Sequence, residues 1–176
     1  MEYGYVCFAY THVWYDWCIA KVTGSQWSHS FITIPSIVGR EMVLEAISNG
    51  VSASPFDIGY RNNRKVDYEV YRFNCDQTKI DLAISKSMNK LETSYGFLEY
   101  PWLLWRYVNS WFGRDIKSHN NWCEQGTICS SVVRTFIENS GQNLFVGFGR
   151  DAVTPQDAYD MVKMHPELFE LIEKKG

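Results

Sequence analysis

The chain lacks the cysteine patterns that cross-link small domains or bind metal. Its 176 residues include five cysteines, an odd number, and no two of them form a C-x-x-C pair. A disulfide framework uses an even set and a zinc knuckle uses paired cysteines, so both are disfavoured. His119, Cys123 and Cys129 could offer three metal ligands, but their spacing matches no common zinc site and a fourth ligand is missing. The sequence therefore predicts a reducing compartment, no metal site and no other cofactor.

A strong net charge is also missing. Seventeen Lys and Arg residues stand against twenty Asp and Glu residues, for a formal net charge of -3. This balance disfavours a broad electrostatic surface for nucleic acid or anionic lipid. The sequence has no repeat, charge block or Pro/Gly/Ser-rich linker, while 45% of its residues are hydrophobic and 16% are aromatic. These features predict one globular domain over residues 1–176.

The sequence has no apolar run long enough for a membrane span. The N-terminal segment carries Glu2 and no basic residues, which is unlike a signal peptide. The densest apolar stretch, Phe97 to Phe112, is short and contains Glu99, Arg106 and Asn109. We therefore expect a cytoplasmic protein with no transmembrane segment, and the sequence leaves its oligomeric state open.

Strand patterns dominate the first half of the chain and helical patterns the second half. Apolar and polar residues alternate in the strand-like segments, whereas apolar residues recur at helical spacing later in the chain. Strands followed by segregated helices predict an α+β fold with a mainly antiparallel sheet. The predicted strands are Tyr5–Tyr10, Ser30–Ile34, Met42–Ala46 and Val66–Phe73. The predicted helices are His12–Val22, one after the N-cap Asp76, Pro101–Gly113, one through Val132 and Ile137 that stops at Gly141, and one from Thr154-Pro155 to about Met164.

Two polar side chains stand out in the predicted hairpin that follows the first helix. If the turn is centred on Ile37, His29 lies directly opposite Glu45 and Phe31 lies opposite Val43. A carboxylate at that distance would accept the proton of one imidazole nitrogen and leave the other nitrogen free as a base. The alternative is a solvent-facing Glu beside an ordinary His.

Cys129 lies at the start of the predicted helix that contains Val132 and Phe136. With Thr127 as the N-cap, Cys129 lies in the first turn, where unpaired N–H groups and the helix dipole favour a thiolate. The same amides could donate to an oxyanion during acyl transfer. The alternative is a buried thiol that only fills the core.

Taken in chain order, six short motifs resemble the permuted papain-like cysteine hydrolases of the NlpC type, in particular their YiiX-like branch. Each motif is weak alone, and the resemblance depends on their common order over most of the chain. The Tyr95 motif departs from the family because it lacks an Asp that is often found after the aromatic residue. The motifs are Thr23-Gly24-Ser25-Gln26-Trp27-Ser28-His29, Val43-Leu44-Glu45-Ala46 with Gly50-Val51, Val70-Tyr71-Arg72, Ser94-Tyr95-Gly96-Phe97, Cys129-Ser130-Ser131-Val132-Val133 and Thr154-Pro155-Gln156-Asp157.

The resemblance implies a permuted papain-like fold, with an antiparallel sheet packed against helices and the nucleophile at a helix N-terminus. Cys129 would be the nucleophile, His29 its general base and Glu45 the residue that orients His29. Tyr95 and Trp27 would contact the substrate. The implied substrate is a peptide, isopeptide or peptidoglycan-type amide, cleaved through a thioester acyl-enzyme.

Two other functions are compatible with the same fold. A non-catalytic module could bind an acyl chain, a lipid or a protein through the Trp-rich segment between Trp102 and Phe112. An acyltransferase would share the thioester chemistry and differ only in its acceptor.

Overall fold

A computed structural model provides the structure of this chain. It describes most of the sequence, in several continuous ranges and a few single residues. The described residues are 2–12, 14, 17, 20–21, 24–47, 49–91, 105, 109, 112, 128–149 and 153–176.

The described residues form an α+β fold around a six-stranded sheet. Its spatial order is β4-β3-β2-β1-β5-β6, and every neighbouring pair is antiparallel. This arrangement confirms the predicted α+β class and antiparallel sheet. The strands are β1 Tyr5–Thr11, β2 His29–Ile37, β3 Arg40–Ile47, β4 Gly50–Pro55, β5 Val66–Phe73 and β6 Phe169–Lys175.

Three helices are described over their full length, and their starts follow local sequence signals. Helix α1 spans Gln77–Met88, and its N-cap Asp76 accepts a hydrogen bond from the backbone N–H of Thr78. Helix α2 spans Cys129–Asn139. Helix α3 spans Pro155–Met164 and begins with a reciprocal capping box between Thr154 and Asp157. These helices agree with three of the five predicted ones.

The other two predicted helices are described only at isolated positions. Trp14, Trp17, Ala20 and Lys21 are helical, as expected for the segment His12–Val22. Most of Pro101–Gly113 lies outside the described residues. No helix in the described part of the chain is long and apolar enough to cross a membrane.

The sheet has a hydrophobic cluster on each face. One cluster joins alternate strand residues to α1, α2 and α3, with Phe8, Ile32 and Phe136 fully buried. The other lies under the segment that follows β4, where Tyr60 of a π-helical turn, Asp57–Arg61, and the preceding residue Phe56 cover Phe31. Both faces of the central strands are therefore covered, which explains why polar side chains that point from them are buried.

Two strands were not predicted, because neither has the alternation of large apolar and polar residues that usually marks a strand. Strand β4 has the sequence Gly-Val-Ser-Ala-Ser-Pro, in which small residues replace the large alternating ones that mark a strand. Strand β6 has four charged residues among seven and lies at the edge of the sheet, paired only with β5. Edge strands are commonly charged because the charge discourages pairing with other chains.

The hairpin between β2 and β3 differs from the prediction in its register. The turn is Val38-Gly39, with positive φ angles of 51° and 74°, and β2 continues through Pro35 to Ile37. An irregularity between Ile34 and Ile37 absorbs one residue, and Ile32 then pairs with Leu44. The prediction paired Ile32 with Met42, so it was wrong by two residues. An even shift leaves each side chain on its predicted face.

Candidate functional site

The first two site residues come from adjacent strands. His29 is the first residue of β2, and Glu45 lies near the end of β3. Continuing the observed register places Phe31 opposite Glu45 and makes His29 a diagonal neighbour of Glu45, not a directly opposed one. The longer Glu side chain spans this diagonal, and His29 Nε2 donates to Glu45 Oε2 at 2.9 Å. The predicted contact is therefore present despite the changed register.

Glu45 is held by three hydrogen bonds. Besides His29, the hydroxyl of Ser54 on β4 donates to Oε1, and the hydroxyl of Tyr60 on the π-helical turn donates to Oε2. Burial opposes the charged form of this carboxyl, but the bonds from His29, Ser54 and Tyr60 outweigh burial and lower its pKa. Glu45 is only 4% exposed, so these bonds replace the water that an ionised carboxylate would otherwise need.

Cys129 reaches the same place from the helical layer. It is the first residue of α2, which packs across β2 and β3. The predicted cap Thr127 lies outside the described residues; the N-cap position belongs to Ile128, whose side chain makes no capping bond. The Cys129 side chain interacts with the imidazole of His29 and with the backbone N–H groups of Ser30 and Ser130.

The thiol and the imidazole shift each other's titration in opposite directions. Burial favours the neutral thiol, yet the bond to His29 and the N–H groups of Ser30 and Ser130 lower the pKa of Cys129 below that of an ordinary thiol. Burial also opposes a charged imidazole, but the bonds to Cys129 and Glu45 raise the pKa of His29 above its usual value. Both directions favour a thiolate beside an imidazolium.

These contacts form one continuous chain from carboxylate to imidazole to sulfur. Because Nε2 of His29 donates to Glu45, Nδ1 is the nitrogen left for the sulfur. The imidazole side chain retains 16% exposure, whereas Cys129 and Glu45 are buried. Such an arrangement can hold a nucleophilic thiolate and deliver a proton to a leaving group.

Neither residue predicted to contact the substrate is placed in the triad by the described part of the structure. Tyr95 lies outside the described residues. Trp27 is buried among the helix-side residues, with its ring 5.8 Å from that of Tyr159 on α3, and its indole Nε1 has no hydrogen-bond partner among the described residues. A role for either residue in substrate binding stays a prediction.

Two residues of the site were not predicted from the sequence. Ser54 belongs to the strand that was missed, and Tyr60 belongs to a short π-helical turn. Tyr60 also stacks on Phe31 with ring centroids 4.2 Å apart, and its ring is nearly parallel to that of His29 at 6.4 Å. Neither residue lies in one of the recognised motifs, so a contact with Glu45 had no signal in the sequence.

A metal site is not formed by the described residues. Among them, no group of three or more His, Cys, Asp and Glu side chains is arranged to hold a metal ion. Two members of the possible ligand set named above, His119 and Cys123, lie outside the described residues. The site that the structure does show is a hydrogen-bonded triad within an α+β fold.

Comparison with known proteins agrees with this fold. The sequence matches no protein-family model and no curated protein. Among solved structures, the chain is similar to a crystal structure described as the metalloprotein YiiX from Escherichia coli O157:H7, DUF1105. The TM-score is 0.58 at 17% sequence identity, and the alignment covers 99% of this chain and 97% of that one. At this identity the likeness is one of fold, and it supports the YiiX-like part of the predicted resemblance.

Proposed function

We propose that this chain is a cysteine hydrolase of the permuted papain-like type that cleaves an amide or isopeptide bond. The observation that carries the proposal is the unbroken contact chain from Glu45 through His29 to Cys129. The YiiX-like fold supports it, because the predicted residues come together within a fold of the expected kind. The substrate class is a peptide, an isopeptide or a peptidoglycan-type amide.

The proposed reaction has two halves. The Cys129 thiolate attacks the carbonyl carbon of the substrate, and the imidazolium of His29 gives its proton to the leaving amine as the C–N bond breaks, which leaves a thioester. His29, now neutral, removes a proton from water, and the resulting hydroxide displaces the thiolate and releases the acid. Glu45 keeps the imidazole in one tautomer and stabilises its charged form.

The solved neighbour is described as a metalloprotein, but the described residues of this chain form no group of side chains that could hold a metal ion. The proposed steps use the side chains of Cys129, His29 and Glu45. Backbone N–H groups at the start of α2, including that of Cys129, would stabilise the oxyanion.

Alkylation of the native protein across a range of pH tests the proposal. We expect iodoacetamide to modify Cys129 rapidly near pH 6, where ordinary thiols are protonated, and we expect His29→Ala to remove this low-pH reactivity. Peptide mass spectrometry would follow each cysteine separately. Cys7 serves as an internal reference, because burial raises the pKa of its thiol well above the usual value.

His12→Ala is the matched control for His29→Ala. Nε2 of His12 contacts Asp67 at 2.8 Å, so this variant also removes a His–carboxylate pair, but at an exposed position directly after β1. We expect His12→Ala to leave the labelling of Cys129 unchanged. Slow labelling of Cys129 at low pH in the unmodified sequence, at the rate of the other cysteines, would contradict the proposed function.

A further inference from the structure

Every backbone N–H from Ser25 to Ser28, in the segment that leads into β2, donates a hydrogen bond, and three of the four reach outside the segment. Ser25 donates to Ala20, Gln26 to the side chain of Gln156, Trp27 to the Ser25 hydroxyl, and Ser28 to Ala9 of β1. An unbroken set of bonds of this kind fixes the path of the chain. The next residue along that path is His29.

Among these four hydrogen bonds, the one to Gln156 joins the segment to α3. Gln26 N–H donates to Gln156 Oε1 at 3.0 Å, and Gln156 Nε2 donates to Asp160 Oδ1 at 2.7 Å. Because a carboxylate only accepts, the bond to Asp160 fixes the orientation of the Gln156 amide, with its nitrogen towards Asp160 and its oxygen towards Gln26. The capping box and Pro155 hold this first turn of α3 in place.

The nucleophile is attached to the same turn from its other side. Ser130 follows Cys129 in α2 and is fully buried, and its hydroxyl donates to the carbonyl of Val153, directly before the N-cap Thr154. The hydroxyl thus joins α2 to α3, although serines at helix starts often bond within their own helix. A closed path runs from Cys129 through Ser130, Val153, Gln156 and Gln26 to His29, and the bond between His29 and Cys129 completes it.

From this closed path we infer that the first turn of α3 is a brace that sets the position of His29 against Cys129, with Gln156 and Ser130 as positioning residues. The inference rests on the proposed function, because it concerns the pairing of the same two side chains. Neither residue needs to touch substrate. Each would act by restricting how far the base and the nucleophile can move apart.

Gln156→Met tests the brace at a half-buried position, and because Gln26 is exposed, water can satisfy its freed N–H and the fold is expected to survive. We expect the alkylation rate of Cys129 near pH 6 to fall about 3- to 10-fold, which is the range of one hydrogen bond. The rate near pH 10, where an ordinary thiol is ionised without help from an imidazole, should stay the same. Gln156→Glu retains an acceptor oxygen for Gln26 but loses the bond to Asp160 and adds a like charge beside it, so it should restore only part of the low-pH rate.

The chain offers a matched control at the start of α1. Gln77 Nε2 donates to Asp81 Oδ1 at 2.9 Å with the same four-residue spacing, but far from the site in sequence and on another helix. Gln77→Met should therefore leave the labelling of Cys129 unchanged. Ser130→Ala, compared with the unmodified protein by thermal unfolding and by labelling, tests the other half of the path and should likewise slow labelling only at low pH.

The outcomes separate the two proposals. Rapid low-pH labelling in the unmodified protein, retained in full by Gln156→Met and by folded Ser130→Ala, would overturn the brace and leave the hydrolase proposal intact. Absence of low-pH labelling in the unmodified protein would overturn the hydrolase proposal, and the brace with it.

Discussion

Two buried glutamates in this sheet differ in the group that neutralises them. Glu45 on β3 and Glu69 on β5 are each 4% exposed, and each accepts a hydrogen bond from a tyrosine hydroxyl, Tyr60 and Tyr71 respectively. Burial opposes ionisation of both, yet their hydrogen bonds lower the pKa of each. As isolated groups, the two carboxylates are nearly equivalent.

Their charged partners are not equivalent. Glu69 contacts Nζ of Lys174 at 2.8 Å, a permanent cation on the edge strand whose side chain is 63% exposed. Glu45 contacts the imidazole of His29, which can gain or lose a proton and interacts onward with the Cys129 thiol, and these two partners raise the pKa of the imidazole. A buried carboxylate needs only donors and an opposite charge to be stable. It can contribute to catalysis when its partner can pass a proton to a reacting atom.

The largest difference is expected from removing the two negative charges in turn. Glu45→Gln should lower the low-pH alkylation rate of Cys129 about 10-fold or more, because His29 loses the group that favours its charged form. Glu69→Gln should leave that rate unchanged, since its partners are Lys174, Tyr71 and Tyr159. Labelling rates measured against pH for both variants check this. Equal loss in both would mean that Glu45 acts only through the stability of the sheet.

A smaller effect is expected from removing the two phenolic hydroxyls. Tyr60→Phe and Tyr71→Phe each delete one donor to a buried carboxylate, so each should lower the free energy of unfolding by about 1.5–3 kcal/mol. Only Tyr60→Phe should also slow the labelling of Cys129, by about 3- to 10-fold. Urea denaturation and labelling on the same samples separate the two effects. If Tyr71→Phe slowed labelling as much, the two carboxylates would belong to one coupled network.

The smallest effect is expected at Lys174, and it concerns acid stability. The lowered pKa of Glu69 contributes stability that is present above the pKa of Glu in the unfolded chain and is lost as pH falls through the lower folded value. Lys174→Met should weaken this contribution, so that unfolding becomes less dependent on pH below about 5. Urea denaturation at several acidic pH values measures it. Labelling of Cys129 should not change, and a change there would contradict the separation of the two carboxylates.

Much of the fold could be predicted because the local signals agree with it. Apolar and polar residues alternate from Val66 to Val70, and Asp76 and Thr154-Pro155 are strong helix starts, so β5, α1 and α3 matched their predicted positions. Strand β4 was missed because small residues carry no alternation, and β6 because its charges suit an edge. The hairpin register was missed because Val38, a β-branched residue, takes a positive φ where glycine or asparagine usually signals the turn.

The candidate site shows the same division. The contact between His29 and Glu45 could be predicted because a register error of two residues keeps both side chains on one face and within reach. Ser54 and Tyr60 could not, since their contact with Glu45 depends on a missed strand and on a π-helical turn. The ties of Gln156 and Ser130 join segments more than twenty residues apart, and no local pattern marks them.

The sequence by itself determined the elements that local periodicity and capping specify, and the side chains able to carry thiol chemistry. Only the tertiary structure decided that the start of α2 meets the start of β2, that a third strand and a π-helical turn close over Glu45, and that α3 joins the two. The physical reason is range: propensity and hydrophobic period act over a few residues, whereas a hydrogen-bonded site requires atoms from distant segments to be placed within about 3 Å of one another.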